Sequence, residues 1–108
     1  MPGTKTFVNH APSGVSVSLF VRQGDNPSNQ AGTTSFDLKP GETKKVQYGS
    51  SADVFVNGYS LVSGFGGDVF NQDATVTARG SSLDNQWNTN SIFEINLLQN
   101  IFTINAHN

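Results

Sequence analysis

Trp87 is the only tryptophan of the chain, and it stands in a polar run, Leu83-Asp84-Asn85-Gln86-Trp87-Asn88-Thr89-Asn90. An aromatic face beside carboxylate and amide groups is the combination that recognises sugars, because the ring packs on apolar C–H faces while the polar groups bond hydroxyls. Asp84, Asn85, Trp87, Asn88 and Asn90 are therefore candidate ligand-binding residues. Asp25 and Asn26, in the run Gly24-Asp25-Asn26-Pro27-Ser28-Asn29-Gln30-Ala31-Gly32, form a second candidate cluster. The same residues also suit a plainer role, with Trp87 plugging the core at a loop end and the Asn side chains making Asx turns. That role is favoured, and exposure of the indole beside Asp84 and Asn88 would separate the two.

Catalytic chemistry is poorly supplied. The two imidazoles, His10 and His107, lie near opposite ends of the chain, no Gly-x-Ser-x-Gly elbow occurs, and there is no cysteine to act as nucleophile, metal ligand or disulfide partner. Acids such as Asp37, Glu42 and Asp53 fall in turns or at strand ends, where solvation explains them better than an acid–base pair. No catalytic residue, metal site or cofactor is expected. Ser63-Gly64-Phe65-Gly66-Gly67-Asp68-Val69-Phe70 resembles one calcium-binding nonapeptide of the repeats-in-toxin proteins, with Ser63 in place of the first glycine. Such sites form between stacked repeats and this chain has one unit, so the segment reads as a glycine-rich loop. Asp68, Asn71 and Asp73 are left as oxygen donors for a weakly held calcium ion.

Composition narrows the partners. Leu, Ile, Val and Phe make up 28 of 108 residues, enough for a packed core, and Val, Phe and Thr outnumber the strong helix formers. Six basic against eight acidic residues give a net charge of −2, so there is no basic stripe for nucleic acid. No window is long and apolar enough to span a membrane, and Met1-Pro2-Gly3-Thr4-Lys5-Thr6 lacks the apolar core of a secretory signal. The expectation is a chain that is cytoplasmic as made or exported by a route not visible here.

The elements that must position these residues are short strands. Turn signals recur about every ten residues, the spacing of an antiparallel β-sandwich of the immunoglobulin-like or jelly-roll kind with about seven to nine strands. Residues 1–108 read as one such domain. Strands are expected at 5–9, 15–23, 33–38, 43–48, 53–56, 59–63, 74–79, 92–98 and 101–105, with loops at 24–32 and 80–86 and a bend at Gln99-Asn100. Val15, Val17, Leu19 and Val21 alternate with Ser16, Ser18 and Arg22, which predicts an apolar face and a wet one. Asn57-Gly58 suits a tight hairpin turn that would place Val56 opposite Tyr59. Lys39-Pro40-Gly41-Glu42 suits a type II turn, and pairing across it would set Lys45 opposite Phe36. It is therefore expected to carry the chain from one sheet to the other.

Phe36-Asp37-Leu38-Lys39-Pro40-Gly41-Glu42-Thr43 with Val46 resembles a strand–turn–strand habit of many bacterial immunoglobulin-like and jelly-roll domains. The first functional expectation is a non-enzymatic structural or interaction protein, self-associating into an oligomer or filament. Its surface is weakly charged, few lysines guard strand edges, and Phe7-Val8-Asn9 and Ile101-Phe102-Thr103-Ile104-Asn105 lie near the chain ends, where strands pair readily with a neighbour. The alternative is a carbohydrate-binding module using the Trp87 loop.

Overall fold

The computed structural model describes residues 3–50, 52–65, 68–98 and 101–108, in which the alternating apolar segments fold into strands. They form β1 (Gly3–Asn9), β2 (Val15–Gln23), β3 (Asn26–Leu38), β4 (Thr43–Tyr48), β5 (Val56–Phe65), β6 (Asp68–Thr75), β7 (Ile92–Leu98) and β8 (Ile101–His107), with one short helix, α1 (Ser82–Asn88), before β7. Two four-stranded sheets result, ordered β4-β1-β7-β8 and β3-β2-β5-β6. All neighbours are antiparallel except β1 and β7. The chain is an all-β sandwich, as its turn spacing implied. Val15, Val17, Leu19, Val21, Tyr59 and Leu61 from one sheet and Phe7, Phe93 and Ile95 from the other fill the space between.

The Pro40-Gly41 corner forms as expected. Gly41 has φ +78°, and the Glu42 amide donates to the Lys39 carbonyl at 3.0 Å, as a type II turn requires. β3 belongs to one sheet and β4 to the other, so the corner does carry the chain across. Asn9, fully buried, holds it: its Nδ2 donates to the carbonyls of Ser13, Leu38 and Lys39 at 3.0–3.2 Å.

Asn57-Gly58 is not a turn. It lies inside β5, where Gly58 pairs with Phe20 on one side and Thr75 on the other, and Val56 and Tyr59 share one strand. Asn57 is the extra residue of a bulge between the pairs Phe20–Gly58 and Val21–Val56, and its fully buried amide donates to the Pro27 carbonyl at 3.0 Å. Glycine is needed at 58 for space, since a Cβ there would lie 2.6 Å from the Ala74 carbonyl oxygen of β6. Gly58→Ala should therefore push β6 away from β5 and destabilise by about 1–3 kcal/mol in urea unfolding, the range of an overpacked site. An unchanged midpoint would show that β6 yields freely.

Two expected loops are structured. Gly24 (φ +55°) and Asp25 make a tight turn, and β3 begins at Asn26, so β2 and β3 form one long hairpin through most of the segment 24–32. Irregular pairing at Val21, Arg22 and Gln23 breaks the alternation there, and Arg22, expected on the wet face, is buried. In the second loop Ser81 caps α1, its hydroxyl accepting from the Asp84 amide at 3.3 Å. The segment expected as a strand at 74–79 is mostly displaced, β6 running earlier, from Asp68 to Thr75. Gly66, Gly67 and the Gln99-Asn100 bend lie outside the described residues.

Only one of the two terminal segments is at an edge. β1 sits between β4 and β7 with Phe7 fully buried, because its Lys5, Phe7 and Asn9 face closes the core. β4 and β8 are the edges of that sheet, and β4 carries Lys44 and Lys45.

Candidate functional site

The residues singled out around Trp87 are brought together, but by internal bonds. The Trp87 ring is 1% exposed and stacked 4.2 Å from Phe93 and 4.9 Å from Tyr59, measured between ring centroids. The helix turns it inward, so it is a core residue and offers no face to a sugar. Asp84 is buried beneath the same helix. It accepts from Arg22 Nη1 and the Gly80 amide, both at 2.8 Å, and from Asn88 Nδ2 at 2.7 Å. Burial pushes the Asp84 carboxyl up, but these three donors outweigh it and hold the group below the usual aspartate range.

Asn88 is equally occupied, with Oδ1 accepting from the Val56 amide at 2.8 Å and Nδ2 donating to the Val56 carbonyl at 2.9 Å, as a neighbouring strand would. Asn90 donates to the Gln86 carbonyl at 3.0 Å and its own carbonyl receives Lys5 Nζ at 2.8 Å. Asn85 is exposed and its amide caps back onto Gly80 at 3.3 Å. Asp25 joins this region from the β2–β3 turn by pairing with Arg22, and its other oxygen lies 3.0 Å from Arg79. Asn26 makes an Asx turn onto the Ser28 amide at 3.0 Å. The expected second cluster thus meets the first through Arg22, a residue that composition gave no reason to bury.

Asn71 and Asp73 lie exposed on β6, and among the described residues no group of three acidic or histidine side chains is arranged around a metal ion.

Two exposed features stand out among the described residues. The first runs along the β6 and β8 edges, which lie on the same side of the sandwich. Val69 is 76% and Ile101 62% exposed, and with Phe70, Gln72 and Phe102 they line a shallow cleft. The backbone of β8 is oriented by its neighbours. The Ile95 carbonyl accepts from the His10 amide at 2.8 Å, so Ile95 turns its backbone toward β1, and Glu94 and Asn96 turn theirs toward β8. Their partners, Asn105 and Thr103, therefore bond β7, which leaves the N–H and C=O groups of Phe102, Ile104 and Ala106 pointing outward.

The second surface was invisible in the sequence. His10 follows β1 and His107 closes β8, and both reach Glu94 on β7, each Nε2 lying 2.8 Å from a different carboxylate oxygen. These hydrogen bonds hold the Glu94 carboxyl below the usual glutamate range. His10 and Glu94 are 84 residues apart and Glu94 and His107 13, so no local spacing could have announced them.

No protein-family model matches the chain, and no curated protein sequence gives a significant match. Among solved structures, the crystal structure of the T6SS lipoprotein TssJ1 from Pseudomonas aeruginosa is similar, at 13% identity over 100% of this chain and 98% of that one, with a TM-score of 0.47. Likeness at that level says nothing about what this chain binds or where it acts. No helix among the described residues is long and apolar enough to cross a membrane.

Proposed function

We propose that the protein is a non-enzymatic structural or interaction domain that associates with copies of itself through β8. The observation that carries this reading is an edge strand, Ile-Phe-Thr-Ile-Asn-Ala-His, with three outward-facing backbone positions and neither lysine nor proline to block them. Ile101 and Val69 at one end add apolar surface that a second copy would cover. The opposite edge of the same sheet, β4, carries Lys44 and Lys45, so association through β8 is favoured over association through β4. The carbohydrate-binding alternative retains exposed Asn26 and Asn85 but no aromatic platform, and no observation favours it.

Multi-angle light scattering over a range of concentrations should show mass rising above that of one chain. Ala106→Pro removes one outward N–H without touching a bond to β7, and Ile101→Lys places a charge on the exposed edge. Both should shift the mass toward the monomer while the far-UV spectrum keeps its β signature. A constant monomer mass up to high concentration would overturn the reading.

A further inference from the structure

We propose that the cleft between β3 and the loop after β4 takes a lysine side chain from an extended peptide that pairs with the β3 edge. The cleft holds about 240 Å³ and is bounded by Gly32, Thr33 and Thr34 of β3 and by Ser50 and Asp53 of the loop, with buried Val21 at its base. Small-molecule sites usually span about 300–1,000 Å³, so this one suits a single side chain.

Asp53 sets the charge of that side chain. Its Oδ1 accepts from the Gly24 amide at 2.7 Å, but its Oδ2 meets only the Ser50 hydroxyl, at a long 3.5 Å. Among the described residues no cation pairs with it. A carboxylate with a spare oxygen selects a cation, and the valine beneath favours one carried on an alkyl stem. Lysine fits better than arginine, because a bidentate guanidinium needs both oxygens and Oδ1 is already taken.

The β3 backbone supplies the second half of the site. β3 is an edge strand. The Asn57 carbonyl accepts from the Val76 amide at 2.7 Å, so Asn57, Tyr59 and Leu61 turn their backbone toward β6, and Gly58, Ser60 and Val62 turn theirs toward β2. Phe20, Ser18 and Ser16 of β2 are therefore used on that side, which leaves their β3 partners Thr33, Ser35 and Asp37 facing outward. The Asp37 carbonyl agrees, since it accepts from Lys44 Nζ at 2.8 Å. Thr33 and Ser35 remain for an added strand, and residues 28–37 carry neither lysine nor proline to block one. Thr34 pairs with buried Leu19 and so shares the inner face with Val21. Side chains alternate along a strand, so the residue added opposite Thr34 points to that same face, where the cleft lies.

β3 and β8 are edges of different sheets, so this site is tested separately from association through β8. An acetylated and amidated five-residue peptide with lysine between threonines, titrated into the isotope-labelled full chain, should shift the NMR amide signals of Gly24, Thr33 and Ser35. The same peptide with norleucine in place of lysine should bind at least about tenfold more weakly, the worth of one hydrogen bond between charged groups. Asp53→Asn keeps an oxygen for Gly24 but removes the charge, and should abolish the preference for lysine. Ser35→Pro removes an outward N–H without touching a bond to β2, and should weaken the peptide at least about fivefold. n-Butylamine, which has the charge and the stem but no backbone, should still shift Gly24 in Ser35→Pro and not in Asp53→Asn. An unaltered near-UV signal from the Trp87 cluster would confirm that both variants fold. The proposal is overturned by absence of shifts at β3, by equal affinity for the two peptides, by a lysine preference that survives in Asp53→Asn, or by n-butylamine binding as tightly as the lysine peptide.

Discussion

Replacing Asp84 with Ala should lower the unfolding free energy by about 3–5 kcal/mol, the range observed when one partner of a buried ion pair is removed. Arg22 is 2% exposed, its guanidinium is stacked 4.9 Å from the Phe55 ring, and its Nε has no hydrogen-bond partner. Without Asp84 the buried cation keeps one carboxylate partner, Asp25, which is itself shared with exposed Arg79, and a long 3.5 Å bond to Asn57 Oδ1. The helix loses an anchor too, because Asp84 also receives the Gly80 amide and Asn88. Arg22→Met combined with Asp84→Leu removes both charges, and this double variant should lose much less than the sum of the single changes. Urea unfolding of the two single variants and the double gives the coupling directly. Strictly additive losses would mean that the pair is not energetically linked. The pH signature follows from the depressed Asp84 carboxyl. Its contribution is present above the unfolded pKa, about 3.9 for aspartate, and is lost as pH falls through the lower folded value.

Lys5→Met should act in the opposite direction and stabilise the protein at pH 7 by about 1–3 kcal/mol. Lys5 is 5% exposed and has no carboxylate partner among the described residues. Its Nζ donates to the Asn90 carbonyl at 2.8 Å and lies 5.3 Å from the Phe93 ring centroid and 5.7 Å from that of Tyr48. Burial pulls its pKa from 10.5 down to about 8. That shift corresponds to about 3 kcal/mol of penalty on the charged form, offset in the variant by loss of the carbonyl bond and the ring contacts. Between pH 8 and 10.5 the unfolded chain binds the proton and the folded chain does not, so wild-type stability should rise across this window. Tyr48, whose phenol burial pushes from 10.0 up to about 12, stays neutral in the folded chain but ionises in the unfolded chain near pH 10, so it works against the rise at the top of this window, in wild type and variant alike. The rise should be missing in Lys5→Met. A wild-type profile that is flat or falling from pH 8 to 10.5 would contradict this account.

The sequence by itself determined the all-β class, most strand positions and the sheet-crossing corner, because each depends on local rules. Period-two alternation in Val15–Val21 sets a face, and Pro40-Gly41 sets a turn whose register would otherwise place Lys45 against the core. What the tertiary structure decided lies where local preference competes with a distant partner. Asn57-Gly58 prefers a tight turn, yet the central position of β5 between β2 and β6 supplies ladder bonds on both sides and uses the missing side chain of Gly58 for close approach. The seven-residue helix α1 is too short to show a helical period, and its cap, Ser81 on Asp84, is its one local signal. Its direction is what turns Trp87 inward and places Asp84 on Arg22. β1 looked like a free end because nothing local records that Phe7 is needed between the sheets. His10, Glu94 and His107 converge because β1 and β7 run parallel and β8 returns alongside β7, so one outer face collects the ends of the chain. Strand order fixes that meeting, and strand order depends on which faces pack best against each other, a property of the assembled sheets and not of any stretch of residues.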